Sequence, residues 1–223
     1  MDRAALFDVD GTLTDTNHLH ITCWWEALRQ AGHHVSMHAV HRALGLPGNS
    51  LLDHLLGTDR DRSGDDRIST AHDTLYATYF DRLRAFDSAG ALLCTLARDG
   101  WKVLLVTSAQ DRELAALRKA IDADDAIVDT ATSDDVEQGK PAPEPVRRAL
   151  DLAGVAAERA VFVGDSVWDM KSATRAGVTT IGLLCGGISR AELEEAGALT
   201  VHSDPASLLT HLHDSPFRRL PAD

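Results

Sequence analysis

The chain has 223 residues, 44% of them hydrophobic and 25% charged, which is the composition of a folded globular protein with one or two domains. Its formal net charge of -12 at pH 7 disfavours a surface for nucleic acid or anionic membrane, because both reward clustered lysine and arginine. A small anionic substrate remains compatible with this charge if a metal ion and a few local cations bind it.

The first apolar run, residues 4 to 7, predicts a buried strand that begins near Arg3. Asp8 and Asp10 follow it directly, and Gly11 then permits a sharp bend. Two carboxylates at the carboxyl end of a strand form a concentrated negative site. Because Mg²⁺ prefers one or two carboxylates together with water and phosphate oxygens, this site suits that ion.

Residues 16 to 84 predict an all-helical segment. Two short helices are predicted at 36 to 44 and 49 to 56, separated by Gly45-Leu46-Pro47-Gly48, whose Pro and Gly interrupt a helix. Apolar residues at helical spacing predict a first and a last, longer helix in this segment. They are Ile21, Trp24, Trp25 and Leu28 in the first, and Ile68, Ala71, Leu75, Tyr79 and Leu83 in the last.

Beyond Phe86, helices and strands alternate, which is typical of an α/β domain. Helices are predicted at 88 to 98, 111 to 120, 143 to 153, 167 to 176, 190 to 196 and 205 to 213. Strands are predicted at 103 to 106, 126 to 129, 160 to 163, 179 to 183 and 199 to 201, and residues 214 to 223 as a tail. The predicted fold class is α/β, a doubly wound, mostly parallel, Rossmann-like sheet formed by residues 1 to 15 and 85 to 223, with the helical segment inserted.

The cysteines and the apolar runs indicate in which cellular compartment the protein is expected. Cys23, Cys94 and Cys185 are odd in number and far apart, which favours buried, unreactive thiols in a reducing environment. The first strand leaves no room for a signal segment ahead of it, and no run approaches the roughly 20 apolar residues of a spanning helix. We therefore expect a cytoplasmic protein without a membrane partner.

Polar side chains follow three of the predicted strands, and the first of these groups is Asp8 with Asp10 after the strand at 4 to 7. Thr107 and Ser108 follow the strand at 103 to 106, Asp165 follows the strand at 160 to 163, and Lys140 comes from a loop stiffened by two prolines. Each has an ordinary structural explanation, such as a helix cap or a solvated charge. Their common position at one edge of a parallel sheet, where ligands bind, makes a functional site the stronger interpretation.

The order D-x-D-G-T-L-x-D, T-S after an apolar strand, G-K-P and G-D-S-x-x-D resembles the phosphatase branch of the haloacid dehalogenase superfamily. The helical segment at 16 to 84 is similar to that family's cap, as in phosphoglycolate phosphatases and β-phosphoglucomutases. The resemblance spans Asp8 to Asp169. It implies a Mg²⁺-dependent phosphatase that hydrolyses a small phosphorylated metabolite through an aspartyl-phosphate.

The resemblance also implies a role for each motif residue. Asp8 would be the nucleophile and Asp10 the general acid and base, Thr107 would bind a phosphoryl oxygen, and Lys140 would neutralise charge. Mg²⁺ would bind the carboxylates of Asp8 and Asp165 and the carbonyl of Asp10, with Asp169 in the outer shell or on a metal-held water. Ser108 stands where relatives often have Asn. A hydrolytic dehalogenase is disfavoured because Asp10 is present, and a Schiff-base phosphonatase because no lysine precedes Lys102.

Two alternatives stay open. A phosphomutase uses the same nucleophile and the same acid and base if the cap excludes water and presents a second hydroxyl group. A binding protein without catalysis is disfavoured because Asp8, Asp10, Lys140 and Asp165 are all retained. The oligomeric state and the substrate are not indicated by the sequence.

The cap segment should select the substrate. The loop from Arg42 to Asn49 is the candidate for this contact, and Arg42 is the cation expected to reach a substrate group, with an ordinary surface role as the alternative. Histidines are frequent here, but their mixed helical phases favour surface or partly buried positions over a second metal site. His18 and His20 lie close enough to Asp15 to face the crevice. The histidines are His18, His20, His33, His34, His38, His41, His54 and His72.

Overall fold

The computed structural model describes residues 2–109, 111–132 and 136–219. Its strands are β1 (Arg3–Phe7), β2 (Trp101–Val106), β3 (Ile127–Ala131), β4 (Ala160–Gly164), β5 (Thr179–Leu183) and β6 (Thr200–His202). They form one sheet in the order β3-β2-β1-β4-β5-β6, and every neighbouring pair is parallel. The predicted doubly wound sheet is confirmed.

The order of the strands determines where a crevice forms. From β1 the chain continues to β2 and β3 on one side, and then crosses to β4 on the other side of β1. The loops after β1 and β4 therefore leave the sheet beside each other at its carboxyl edge. In a doubly wound sheet this reversal point is where ligands bind.

Helices cover both faces of the sheet. They are α1 (Asn17–Gln30), α2 (Met37–Ala43), α3 (Gly48–Leu56), α4 (Asp65–Ala77), α5 (Ala89–Arg98), α6 (Asp111–Ile121), α7 (Glu144–Ala153), α8 (Val167–Arg175), α9 (Arg190–Glu195), α10 (Pro205–Thr210) and α11 (Pro216–Arg219). Within β1 the side chains alternate between two hydrophobic clusters, with Phe7 in one and Leu6 in the other. Both side chains are fully buried, and each stabilises the fold by about 1.5–3 kcal/mol.

Helices α1 to α4 pack around a hydrophobic cluster of their own, separate from the clusters of the sheet. Trp24 and Leu28 of α1 meet Val40 of α2, Leu52 of α3 and Ile68 of α4 in this cluster. A segment with its own core can move as a unit against the sheet, so this packing supports the proposal of a cap at residues 16 to 84.

The end of the cap segment differs from the sequence prediction of a helix reaching Leu83. Helix α4 ends at Ala77, and a separate 3-10 turn follows at Phe80–Arg82. The side chain of Leu83 belongs to the main cluster of the sheet, which also includes Cys23 of α1 and Tyr76 of α4, and not to the cluster that joins helices α1 to α4. A continuous helix would have kept it on the α4 face, and the periodicity alone did not reveal this change of direction.

The carboxyl-terminal part also differs from the prediction. The helix predicted at 205 to 213 ends at Thr210 and continues as a 3-10 turn at Leu212–Asp214. The predicted tail contains α11, whose Phe217 is buried against Trp101 with ring centroids 5.0 Å apart. This aromatic contact holds residues that were predicted to form a tail against the sheet domain. Residues 220 to 223 lie outside the described part of the chain. No helix in the described ranges is long and apolar enough to cross a membrane.

Candidate active site

Asp8, Lys140 and Asp169 form a buried charged centre at the carboxyl edge of the sheet. Lys140 Nζ lies 2.5 Å from Asp8 Oδ1 and 2.8 Å from Asp169 Oδ1, and it donates to the Val106 carbonyl at 3.1 Å. Burial alone would lower the pKa of a lysine, but the carboxylates of Asp169 and Asp8 raise the pKa of Lys140 above its usual value. The amine therefore stays protonated beside Asp8.

Asp169 is held in place by the start of helix α8. Ser166 is the N-cap, and its hydroxyl and backbone N–H donate to Asp169 Oδ2 at 2.6 Å and 3.1 Å. This is a capping box, which satisfies orphan N–H groups at the helix start. The G-D-S-x-x-D motif thus builds a helix start and points the second oxygen of Asp169 at Lys140.

Asp165 is fixed by two donors that follow β1. Thr12 Oγ1 donates to Asp165 Oδ1 at 2.8 Å, and Asn17 Nδ2 donates to Asp165 Oδ2 at 2.9 Å. Gly186 leaves room for this carboxylate, since a Cβ there would overlap it. Gly11 adopts φ +79, a conformation that favours glycine, and so brings Thr12 and Asn17 back towards Asp165.

The carboxylates of Asp8, Asp165 and Asp169 can hold a metal ion. One oxygen from each lies within 4.8 Å of the others. Burial, reinforced by the charge of Asp169, raises the pKa of Asp8 well above its usual value and that of Asp165 to about 7. Three buried carboxylates beside Lys140 leave an excess of negative charge that a hard cation would offset, so these residues fit Mg²⁺.

Asp10 lies outside this trio and is held by the start of helix α1. Thr16 Oγ1 donates to Asp10 Oδ1 at 2.6 Å, and His20 Nε2 lies 3.2 Å from the same oxygen. Burial raises the pKa of Asp10, but the hydrogen bond and charge of His20 outweigh it and lower the pKa overall. Asp10 in turn raises the pKa of His20 against the effect of burial. The two side chains form an ion pair.

A second histidine extends this arrangement away from Asp10. His20 Nδ1 lies 3.1 Å from His72 Nε2, and His72 Nδ1 lies 2.8 Å from the exposed carboxylate of Asp73. The ring of Trp24 stacks on His72 at a centroid distance of 4.1 Å. His72 is buried and His20 is half-buried in the crevice, whereas His18 is exposed, in agreement with the surface or partly buried positions expected for most of these histidines.

Glu113, in the first turn of α6, was not anticipated from the sequence. Its Oε1 lies 3.9 Å from His20 Nε2, and burial together with the charge of Asp10 raises the pKa of Glu113 to about 7. One ligand atom each of Asp10, His20 and Glu113 lies within 4.8 Å of the others, a spacing that a cation can bridge. That the histidines of this segment build no second metal site stays a prediction.

These groups line one crevice of about 610 Å³ between the sheet and the cap helices. Thr107 and Ser108 lie at its sheet side, and Thr107 is buried with its Oγ1 accepting the Ala109 N–H at 3.0 Å. The cap contributes the loop predicted to contact substrate, since residues 44 to 48 all line the crevice. The structure thus brings the core motifs and the cap loop to one place.

The cap loop contacts the core next to the charged centre. A Cβ on Gly139 would overlap Pro47, so the glycine before Lys140 allows the loop to approach. On another side of the cap, His41 Nε2 lies 2.7 Å from the Gly186 carbonyl, and Trp168 Nε1 donates to the Arg42 carbonyl at 3.2 Å. These contacts hold residues 41 to 47 against the residues of the sheet domain.

Arg42 does not lie where the sequence analysis expected it. Its guanidinium pairs with Glu192 of α9, and it lines a small separate recess beside Trp168 instead of the crevice. Helix α2 turns this side chain towards the core surface, which loop position alone could not show. The placement supports a contact between cap and core and gives no support to substrate binding by Arg42.

Several residues at the site escaped the sequence analysis for recognisable reasons. Thr12, Thr16 and Asn17 follow the first motif so closely that they were interpreted as a loop and a helix start. Their hydrogen bonds to Asp165 and Asp10 depend on how the chain folds back after Gly11. The sequence signal that could have identified them is the group of short polar side chains, Thr12, Thr16 and Asn17, that follows Gly11 so closely.

The cysteines are consistent with a role outside the chemistry. Cys23 is buried, and burial raises the pKa of its thiol to about 11. Burial also raises the pKa of Cys185, whose Sγ donates to the Gly11 carbonyl at 3.2 Å. Cys94 and Cys185 are only half-buried, so the expectation that all three thiols are buried was partly wrong.

The chain belongs to the haloacid dehalogenase-like hydrolases, whose family model matches residues 5–183. A phosphoglycolate phosphatase of Rhodospirillum rubrum is 32% identical over 93% of this chain and 90% of the relative. A pyrophosphatase PpaX of Bacillus cereus is 30% identical over 86% of this chain and 88% of the relative. The family and these relatives define the chain as a hydrolase of the phosphatase type.

Solved structures agree with this assignment. A hydrolase from Pseudomonas syringae superposes with a TM-score of 0.90 at 34% identity, covering 96% of this chain and 99% of that one. A putative β-phosphoglucomutase from Bacteroides vulgatus has a TM-score of 0.85 at 21% identity, covering 95% and 88%, and shares the fold. The α/β fold expected from the alternation of helices and strands is therefore confirmed.

Proposed function

We propose that the chain is a Mg²⁺-dependent phosphatase that hydrolyses a small phosphorylated metabolite through an aspartyl-phosphate on Asp8. The observation that carries the proposal is the contact of Lys140 Nζ with Asp8 Oδ1 at 2.5 Å, at the floor of the crevice. A carboxylate is a poor nucleophile towards a phosphate dianion, and a buried cation beside it offsets their repulsion.

In the first step a carboxylate oxygen of Asp8 attacks phosphorus, and the bond from phosphorus to the ester oxygen breaks. Asp10 takes up a proton from His20, with which it forms an ion pair, and donates that proton to the leaving oxygen, which departs as an alcohol. Lys140 and the Thr107 hydroxyl stabilise the charge on the phosphoryl oxygens. In the second step Asp10 accepts a proton from water as the water attacks phosphorus, which returns the Asp8 carboxylate and releases inorganic phosphate. General acid-base help of this kind contributes about 10²- to 10⁴-fold.

Mg²⁺ would bind the carboxylates of Asp8 and Asp165 and the backbone carbonyl of Asp10. When bound, it supplies positive charge that stabilises the transferring phosphoryl group. Asp169 acts on this arrangement through its contact with Lys140. The Thr12 and Asn17 hydrogen bonds hold Asp165 in its rotamer, so the site is ordered before the ion arrives.

The cap would exclude water and contact the organic part of the substrate. Its loop at 44 to 48 covers the crevice beside the charged centre. A phosphomutase needs the same groups, but the names of the phosphoglycolate phosphatase and pyrophosphatase relatives describe hydrolysis, which favours a phosphatase.

Phosphate release from an aryl phosphate with Mg²⁺ tests this proposal. The wild type should turn over, and Asp8→Asn, which removes the nucleophile with little change in shape, should be inactive with an unchanged melting temperature or a higher one. Asp151→Asn, an exposed aspartate on α7, is the matched control and should retain wild-type activity. Substantial turnover by a folded Asp8→Asn protein would contradict nucleophilic attack by Asp8.

A further inference from the structure

The carboxylate of Glu113 faces the part of the crevice that lies beyond Asp10. Its Oε1 is 3.9 Å from His20 Nε2, and no hydrogen bond from any residue within the described ranges reaches it. The side chain is 27% exposed, so water and salt screen it only in part. At 3.9 Å the His20 ring is too far away to donate a hydrogen bond, so a donor on the substrate could bind this half-buried carboxylate.

The surrounding wall carries more negative than positive charge. Among the described lining residues beyond the phosphate end, the carboxylates are Asp10, Asp73, Asp111 and Glu113. The cations of that wall are His20, which pairs with Asp10, and Arg112, which is exposed at the mouth. The remaining wall is mostly aromatic and apolar, with Trp24, Tyr76 and Phe80.

We propose that Glu113 selects a phosphomonoester whose leaving group carries an ammonium group, so that the substrate is a small aminoalkyl phosphate. The proposal rests on the phosphatase function above and names its substrate class. An ammonium would donate a hydrogen bond to the Glu113 carboxylate, and its positive charge would favour the ionised form of Glu113 against the burial that raises the pKa of this group to about 7. A leaving group with a carboxylate or a second phosphate would meet Glu113 and Asp10 with a charge of the same sign.

This preference differs from what the names of the relatives suggest. Phosphoglycolate carries a carboxylate on its leaving group, and pyrophosphate leaves as a phosphate. Among the described residues of this wall, Arg112 is the cation placed to attract such an anion, and its exposure weakens that attraction through solvent screening.

Three substrates of almost equal size separate charge from shape. They are 2-aminoethyl phosphate, 2-hydroxyethyl phosphate and phosphoglycolate, whose leaving groups carry an ammonium, a neutral hydroxyl and a carboxylate. We expect kcat/KM to fall in that order for the wild type, with the first exceeding the last by at least about ten-fold. Glu113→Gln keeps the size of the side chain and removes its charge, so the ratio of the first to the last should fall about ten-fold.

Glu158→Gln is the matched control, because it makes the same change of net charge at an exposed residue before β4, outside the crevice. It should leave the ratio at the wild-type value. The inference is overturned if the wild type prefers phosphoglycolate to 2-aminoethyl phosphate, or if Glu113→Gln changes the ratio no more than the control does. Absence of turnover with all three esters and with an aryl phosphate would instead refute the phosphatase function itself.

Discussion

Replacing Lys140 by methionine tests the electrostatics of the charged centre. Met keeps most of the unbranched apolar part of the side chain and removes the ammonium that lies 2.5 Å from Asp8 and 2.8 Å from Asp169. Both carboxylates are then buried without their cation, and breaking a buried pair by removal of one partner costs about 3–5 kcal/mol. Because the raised pKa of Asp8 lets a proton replace part of the lost charge, we expect the lower end, about 3 kcal/mol.

Lys102→Met is the matched control. Lys102 also pairs with an aspartate, with Nζ 2.7 Å from Asp2 Oδ2, but its side chain is 36% exposed. Exposed pairs contribute about 0–1 kcal/mol, so the two methionine variants should differ clearly. Urea unfolding in EDTA at neutral pH measures both free energies. Equal losses in the two variants would refute the argument that burial makes the Lys140 contacts strong.

Lys140→Met also has a kinetic consequence. The ammonium compensates charge on every phosphoryl group, so kcat should fall by about 10²- to 10³-fold on all substrates alike. Ranking the same substrates in wild type and variant distinguishes this from a change of specificity. A changed ranking with an unchanged rate on an aryl phosphate would contradict the role of Lys140.

Three further predictions concern the metal, the cap and the acid-base pair. Mg²⁺ should raise the melting temperature of the wild type but not of Asp165→Asn, because the variant loses a ligand charge. Gly139→Ala should raise KM, because the added Cβ overlaps Pro47 and hinders cap closure. The free energy of unfolding that His20→Gln removes should be largest between about pH 4 and 6.5. Below that window Asp10 is protonated, and above it the contribution of His20 is lost as pH rises through its raised folded pKa.

Each of these three predictions would be contradicted by a different result. A Mg²⁺ shift that survives in Asp165→Asn would remove Asp165 from the metal site. Gly64→Ala places a Cβ in open space and is the control for the cap, so equal KM changes in both glycine variants would exclude the Pro47 contact. A difference between wild type and His20→Gln that stays constant from pH 4 to pH 9 would contradict the His20–Asp10 ion pair.

The core was predictable from sequence because its signals are local. Short apolar runs such as residues 103 to 106 become strands wherever they are buried on both faces, and parallel strands bring their carboxyl ends to one edge. The positions of Asp8 and Asp165 followed from that rule. The direction in which a side chain of residues 16 to 84 points could not be predicted in this way. It depends on the packing of helices against a surface that is distant in sequence, as the pairing of Arg42 with Glu192 shows.

Phe217 and Glu113 show a second limit of prediction from the sequence. Phe217 lies in a stretch with turn residues and few apolar neighbours, and its burial against Phe7 and Trp101 is a contact between distant parts of the chain. Glu113 has the ordinary place of an acidic residue in the first turn of a helix. Its position beside Asp10 depends on how α6 sits over the crevice, which no pattern in the sequence encodes.

The covalent intermediate is the central claim, and trapping it is the most direct measurement. The enzyme would be mixed with Mg²⁺ and a turned-over phosphomonoester, quenched in acid within the first turnover, digested and analysed by mass spectrometry. We predict the mass of one added phosphoryl group on the peptide that contains Asp8, lost on treatment with hydroxylamine and absent from Asp8→Asn. A phosphoryl group on a different residue, or single-turnover hydrolysis by the wild type with no labelled peptide at any time point, would contradict the account.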